Sequence, residues 1–275
     1  MSDHDLRLGL EYGRLLMPKF PWGLGAAPDA YDYRDAEYTR AAEAGLAADA
    51  TGQRPLRVDN RELYPIIYNQ EREGACVGCV SALALSSGFG LQISNRFTQQ
   101  GAMLRDEIPG DNTNCSTLRG AWKSARRDGG CAYPLWPFKP FDTSGKQPGA
   151  DDDAALHRVL RYERVRTLTQ ILDGIWVYGG VAITIMCHTG WKKPNPQTGR
   201  IKYDRRYSDL SWHAAWLEGF DEPDEWFWLH NSWGEWYPAV DPAMKGRAKI
   251  GFNDVMYHLS DAWAVLEFGS EIPDD

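Results

Sequence analysis

The sequence predicts an α+β fold of two lobes, a helical one followed by a β-rich one, on three observations. Between about residues 54 and 138 the strongest patterns are helical, and after about residue 151 most are strand-like. The proline-rich stretch from Tyr133 to Pro140 and the acidic run GADDD separate the two. Residues 1–53 stand apart as an N-terminal extension in which Pro21, Gly23, Gly25 and Pro28 precede an Ala-rich helical piece, TRAAEAGLAADATG. The expected organisation is therefore 1–53 as extension and 54–275 as the main unit, split near residue 150 into helical and β lobes.

The elements follow in order. VGCVSALALSSGF carries small or apolar residues on nearly every face, which suits a fully buried helix. STLRGAWKSARRDGG opens at a Ser/Thr cap and closes at paired glycines. A further helix is expected around ALHRVLRYERV, and then strands at GGVAITIMC, HAAWLEGF, EWFWLHNSW, RAKIGF and DAWAVLEF. No internal repeat or long low-complexity tract interrupts this order.

Composition narrows the function classes. The chain has 275 residues, 43% hydrophobic and 25% charged, enough for a large core. Its net charge of −8 offers no basic face for a phosphate backbone, so nucleic acid is not an expected partner. The first residues are charged, lacking the apolar stretch of a secretory signal, and no run approaches the roughly 18 apolar residues of a membrane span. Five cysteines, an odd number in a chain of this size, point to free thiols in a reducing, cytoplasmic setting, with delivery elsewhere only by a non-classical route.

The chemistry is carried by few residues. In NQEREGACVGCVSALAL a polar, Gly-containing loop runs into an apolar helix with Cys76 in its first turn. There the unpaired N–H groups and the positive end of the helix dipole favour a thiolate. A nucleophilic cysteine also needs a base, a group that orients the base, and oxyanion donors. Gln70 and the backbone N–H of Cys76 are the candidate donors. His213 is the candidate base and Asn231 its orienter, because HAAWLEGF, DEPDE and WFWLHNSWG read as a hairpin centred near Glu222 or Pro223. That pairing puts His213 and Asn231 on one face, opposite each other or one diagonal step apart.

These residues resemble the papain family of cysteine peptidases. Gln70, Gly74 and Cys76 match the family's spacing of Gln, Gly and nucleophile, and Asn231, Ser232, Trp233 and Gly234 match its Asn-Ser-Trp-Gly run. His213 and Asn231 follow Cys76 by about 140 and 155 residues, close to the separations of papain-like enzymes. The resemblance runs from about Arg54 to Phe268 and is nearest to bacterial-type members, with RPLRVDNRELYP as a loose counterpart of their PxxxDxR stretch. It implies a papain-like fold with a barrel-like β lobe, an active-site cleft between the lobes, a protein or peptide substrate and no metal or other cofactor. It also implies that Trp233 shields the His213–Asn231 pair. The extension could be a propeptide crossing the cleft; permanent or partly inhibitory structure is the preferred expectation, since it is shorter than the long helical prosegments of lysosomal members.

Departures from the family pattern matter too. Glu73 stands where many secreted members have a disulfide cysteine, and Val77 replaces the aromatic after the nucleophile. Asn114 and Cys115 replace the paired glycines that hold substrate backbone, so substrate contacts are assigned to Gly74, Asn114, Cys115, Trp212 and Trp233, with Trp236 also near the cleft. The expected activity is hydrolysis of internal peptide bonds. The alternatives are acyl transfer, transglutamination or deamidation by the same residues, and a catalytically silent binding module.

Other motifs favour plain roles. Cys76 and Cys79 form a CxxC, but with no second pair or HxxxH partner a zinc site is not expected, and Cys79 reads as a small core residue. His230 adjoins Asn231 and so faces the other way, while His188 and His258 have no evident partners in sequence. The twelve tryptophans lie mostly in strand-like runs, where packing is the default.

Overall fold

The computed structural model describes residues 24–38, 53–106, 115–203, 211–235, 237 and 244–271. Its elements run β1 (Arg57–Asp59), α1 (Cys76–Phe89), α2 (Asn95–Met103), α3 (Leu118–Arg127), α4 (Ala150–Ala154), β2 (Arg158–Val165) and α5 (Leu168–Tyr178). They continue with β3 (Val181–Cys187), β4 (Ser211–Asp221), β5 (Trp226–His230), β6 (Arg247–Gly251), α6 (Phe252–His258) and β7 (Leu259–Gly269). The expected α+β architecture is present: helices α1 to α3 form an N-terminal region, and an antiparallel sheet of order β2-β7-β3-β4-β5-β6 follows, with β1 also on β4.

Helix α1 is buried from Cys76 to Ser86 because small and apolar side chains surround its axis, and it stops at Gly90, whose φ of +66° favours a residue without Cβ. Thr117 caps α3 by accepting the Gly120 N–H at 3.0 Å. A reciprocal capping box starts α5: Thr167 Oγ1 accepts from Gln170 N–H and Gln170 Oε1 from Thr167 N–H, both at 3.2 Å. Thr167→Ala is expected to lower stability by about 1 kcal/mol, a fall in Tm of roughly 2 °C in a thermal melt.

Two expectations are corrected here. ALHRVLRYERV is mostly strand: Arg158–Val165 pairs antiparallel with β7, and its Leu, Arg and Glu residues, good helix formers in isolation, yield to that partner. The acidic run read as a linker starts the short helix α4, where Ala150 and Ala154 turn into the core.

Strand β4 is the seam between two cores. Its alternation sends Ala214 and Trp216 toward α1 and the helical core, while Ala215 and Leu217 join the core beneath the sheet. The sequence SWHAAWLEGF thus serves both lobes, and His213 stands where they meet.

Candidate active site

The loop before α1 is fastened across the seam. Gln70 N–H donates to the Ser232 carbonyl at 2.9 Å, Gly234 N–H to the Tyr68 carbonyl at 3.1 Å, and Asn69 forms a bridge with Trp233. Ser232 Oγ donates to Gln70 Oε1, which leaves the Gln70 amide nitrogen directed at the Glu73 carbonyl at 2.9 Å. Gln70 and the Asn-Ser-Trp-Gly run are therefore one assembly, and Cys76 lies six residues further along the same loop. At the start of α1, Ala75 provides no side-chain cap, and the first-turn Gly78 N–H is taken by Gln99 Oε1 at 2.8 Å.

Opposite this loop, His213 Nε2 lies 2.8 Å from Asn231 Oδ1. The Ser232 N–H also donates to that oxygen at 2.8 Å, which fixes the orientation of the Asn231 amide and puts the imidazole proton on Nε2. Nδ1 is left as the basic nitrogen, and it has no hydrogen-bond partner among the described residues. Trp216 pairs with His230 in the β4–β5 register, so Asn231 is one diagonal step from His213; a bulge at Glu218 absorbs the offset toward the turn.

Two tryptophans enclose the imidazole. The Trp233 ring lies 5.1 Å from it at a 34° tilt, and Trp191 meets it edge-on at 6.0 Å. Trp191 had no sequence signal, since it sits in the irregular segment after β3. Burial lowers the His213 pKa to about 4, against the opposing effect of the hydrogen bond it donates to Asn231 Oδ1. Burial likewise pushes Cys76 up to about 12, although the N–H groups of Ala214 and Gly25 beside its sulfur act the other way. The expected thiolate is thus a neutral thiol in this state, because the N-terminal segment excludes water from it.

That segment occupies the groove over Cys76. Gly25 accepts from Ser116 N–H at 2.9 Å, Ala27 N–H donates to the Ser116 carbonyl at 2.8 Å, and Ala26 N–H donates to the Trp212 carbonyl at 3.4 Å. A Cβ on Gly25 would lie 2.0 Å from the Gly74 oxygen, so the two backbones touch. Gly74, Trp212 and Cys115, the neighbour of Ser116, consequently border one groove. The backbone pairing expected near Asn114 and Cys115 is made by Ser116; Asn114 and Trp236 lie outside the described residues.

Further along, the segment is clamped by a buried polar network. Asp29 N–H donates to Asp261 at 2.9 Å, while Asp29 accepts from Trp263 Nε1 at 3.0 Å and from Arg119 N–H at 3.2 Å. Asp35 accepts from Arg119 Nη2 at 2.6 Å and from Arg164 Nη1 at 3.1 Å, and Arg164 also pairs with Asp261.

The other histidines correct the expectation of partnerless side chains. Asp254 lies 3.0 Å from His188 Nε2 and 2.9 Å from His258 Nδ1, all three buried. Gly190 N–H donates to His188 Nδ1 at 3.1 Å, so His188 Nε2 carries the proton toward Asp254 and has no lone pair for a metal. This trio is a hydrogen-bonded core feature. His230 is also buried, 2.9 Å from Glu218, which Arg247 Nε approaches to 2.5 Å.

The fold is that of the papain-like cysteine proteases. No protein-family model and no curated protein matches the chain. Among solved structures, xylellain, a cysteine protease from Xylella fastidiosa, superposes with a TM-score of 0.72 at 21% identity, covering 89% of this chain and 96% of that one. The cysteine protease and lectin-like domains of Cwp84 from Clostridium difficile give 0.66 at 15% identity, covering 97% and 60%. Bromelain from Ananas comosus, in complex with the E64 inhibitor, gives 0.58 at 14% identity, covering 78% and 100%.

Proposed function

We propose that the chain is a thiol endopeptidase held latent by its own residues 24–27. The observation that carries this reading is the imidazole of His213: Asn231 holds Nε2–H at 2.8 Å and Nδ1 is unengaged, on a strand whose next amide, that of Ala214, reaches the sulfur of Cys76. A base so oriented has little purpose in a binding module.

With the groove open to a substrate, Nδ1 takes the thiol proton and the Cys76 sulfur attacks the peptide carbonyl carbon. Charge then grows on the carbonyl oxygen, where the Cys76 N–H and Gln70 Nε2 are the donors. The imidazolium returns its proton to the departing amine. Water, deprotonated by Nδ1, next adds to the thioester and releases the acid and the free thiol. Asn231 keeps the proton on Nε2 throughout, and Trp233 and Trp191 keep water from competing for that hydrogen bond. The chemistry needs no metal or organic cofactor. Five free cysteines support a reducing compartment as its setting.

The test is to incubate the full-length chain carrying Gly25→Val, which uncovers the groove, and its Cys76→Ala derivative with a thiol-reactive epoxide peptidomimetic, record intact masses, and assay both on a mixed fluorogenic peptide library. One adduct per chain at Cys76 and Cys76-dependent cleavage are expected. Cleavage that survives Cys76→Ala would overturn the reading, and labelling with no cleavage would replace hydrolysis by acyl transfer.

A further inference from the structure

We infer that Glu73 and Arg96 form an ionic brace whose function is to set the oxyanion donors, an inference that rests on the thiol-peptidase reading. Glu73 lies between the two donors, three residues after Gln70 and three before Cys76. Its backbone is tied to the first of them: the Glu73 carbonyl accepts Gln70 Nε2 at 2.9 Å, and Glu73 N–H donates to the Gln70 carbonyl at 3.2 Å. Wherever residue 73 is placed, the Gln70 amide follows.

The side chain of Glu73 leaves that placement little freedom. Its two oxygens accept from Arg96 Nη1 at 2.5 Å and Nη2 at 2.6 Å, a parallel two-bond fork, and the second oxygen also accepts Phe141 N–H at 2.7 Å. Arg96 in turn donates to the Lys139 carbonyl at 2.5 Å and lies 4.5 Å above the Phe138 ring. The two side chains are 1% and 0% exposed. One turn along α2, Gln99 accepts Gly78 N–H at 2.8 Å and donates to the Gly74 carbonyl at 3.4 Å. One face of α2 therefore grips the Gln70–Gly78 stretch at residues 73, 74 and 78.

Stability is a poor explanation for this arrangement. A buried ion pair gives up hydration of both charges, and well-packed apolar residues of similar volume often serve stability equally well. What apolar contacts cannot supply is a directional fix on a loop that contains a glycine and must hold two donors in register. A displacement near 1 Å of a catalytic group is enough to lower turnover by about 100-fold. Glu73 and Arg96 are thus positioning residues, acting through Gln70 and the Cys76 amide.

The test separates oxyanion chemistry from nucleophile chemistry. Binding of a peptide aldehyde adds the Cys76 sulfur to the carbonyl carbon, with the proton passing to oxygen, and so reports the donors. Alkylation by iodoacetamide displaces iodide and needs only the thiol and its base. Both are measured in the full-length chain, using whichever of wild type and Gly25→Val alkylates faster, beside Glu73→Gln, Arg96→Lys and the double variant Glu73→Leu/Arg96→Met. In Glu73→Gln, kcat and aldehyde affinity are expected to fall about 100-fold, the scale of losing one oxyanion donor, with KM and alkylation rate within about threefold. Arg96→Lys, which keeps the charge but loses the fork, should fall about tenfold in the same two readouts and decides the matter if Glu73→Gln does not fold. The double variant should recover thermal stability and leave kcat low. Parallel loss of alkylation and kcat, or recovery of kcat in the double variant, would overturn the brace. Failure of that faster-alkylating background, with Glu73 and Arg96 intact, to bind the aldehyde at all would overturn the peptidase reading and the brace with it.

Discussion

Gly25→Val is expected to raise the rates of Cys76 alkylation and peptide hydrolysis at pH 7 by about 10- to 100-fold. Its new Cβ would stand 2.0 Å from the oxygen and 2.3 Å from the Cα of Gly74, and both contacts are with backbone that cannot swing aside. Overpacking of this kind costs about 1–3 kcal/mol, and each 1.4 kcal/mol moves an equilibrium about tenfold. The strain is relieved by displacing the segment, against the apolar burial of Leu24 and Ala26 and the few backbone hydrogen bonds that hold it in the groove. Water then reaches a sulfur and an imidazole whose pKa values burial had moved to about 12 and about 4. Rehydration moves them toward one another, and the thiolate fraction at neutral pH rises with the loss of steric cover. Tyr31→Ala is the control, because that side chain on the same segment is 80% exposed and touches no part of the groove's floor. Unchanged rates in Gly25→Val, or an equal rise in Tyr31→Ala, would remove the latency proposal while leaving the assignment of Cys76 intact.

What the sequence made legible is what local pattern controls. The small and apolar run after Cys76 reads as a buried helix, and the paired strands around the turn at Glu222–Glu225 put His213 and Asn231 within one diagonal step of each other. HAAWLEGF likewise reads as a strand, though nothing in it announces that both its faces are buried. The misread segment, Arg158–Val165, failed because its residue types favour a helix and only β7, almost a hundred residues later in the chain, makes it a strand. The same limit hid the groups that surround the site. Gly25 against Gly74, Glu73 with Arg96, and His188 with Asp254 are each meetings of residues distant in sequence, with no periodicity to announce them. A glycine in an irregular extension and a glutamate in a polar loop look unremarkable until the fold brings their partners up. The candidate site was legible because Gln70, Cys76, His213 and Asn231 follow a recognisable order and spacing; the groups that hold and cover it are ordinary residues.

Latency should also deepen in acid. The clamp on residues 29–35 brings Asp29 and Asp35 from the segment against Asp261 on β7, Arg119 on α3 and Arg164 on β2, with Trp263 donating to Asp29. Burial and the neighbouring Asp29 raise Asp261 to about 7, and burial raises Asp29 above the usual carboxylate range despite Arg119 and Arg164. When the segment leaves, Asp261 loses a like-charged neighbour and regains water, and Asp29 becomes solvated, so both return toward the ordinary carboxylate value of 3.8. The docked state therefore binds more protons than the open one between about pH 4 and pH 7. By linkage, docking strengthens as pH falls through that window and weakens as pH rises toward 7, by at most about tenfold per pH unit for each proton taken up. The measurement is the iodoacetamide rate of wild type divided by that of Gly25→Val at each pH from 5 to 8, a ratio that cancels the intrinsic titration of Cys76 and His213. It should fall about tenfold between pH 7 and pH 5. Asp29→Asn removes the second carboxylate but leaves the burial of Asp261, so the slope of the ratio should lessen while keeping its sign. A ratio that rises in acid would reverse the sign of the linkage, and an unchanged slope in Asp29→Asn would move the proton away from the Asp29–Asp261 pair.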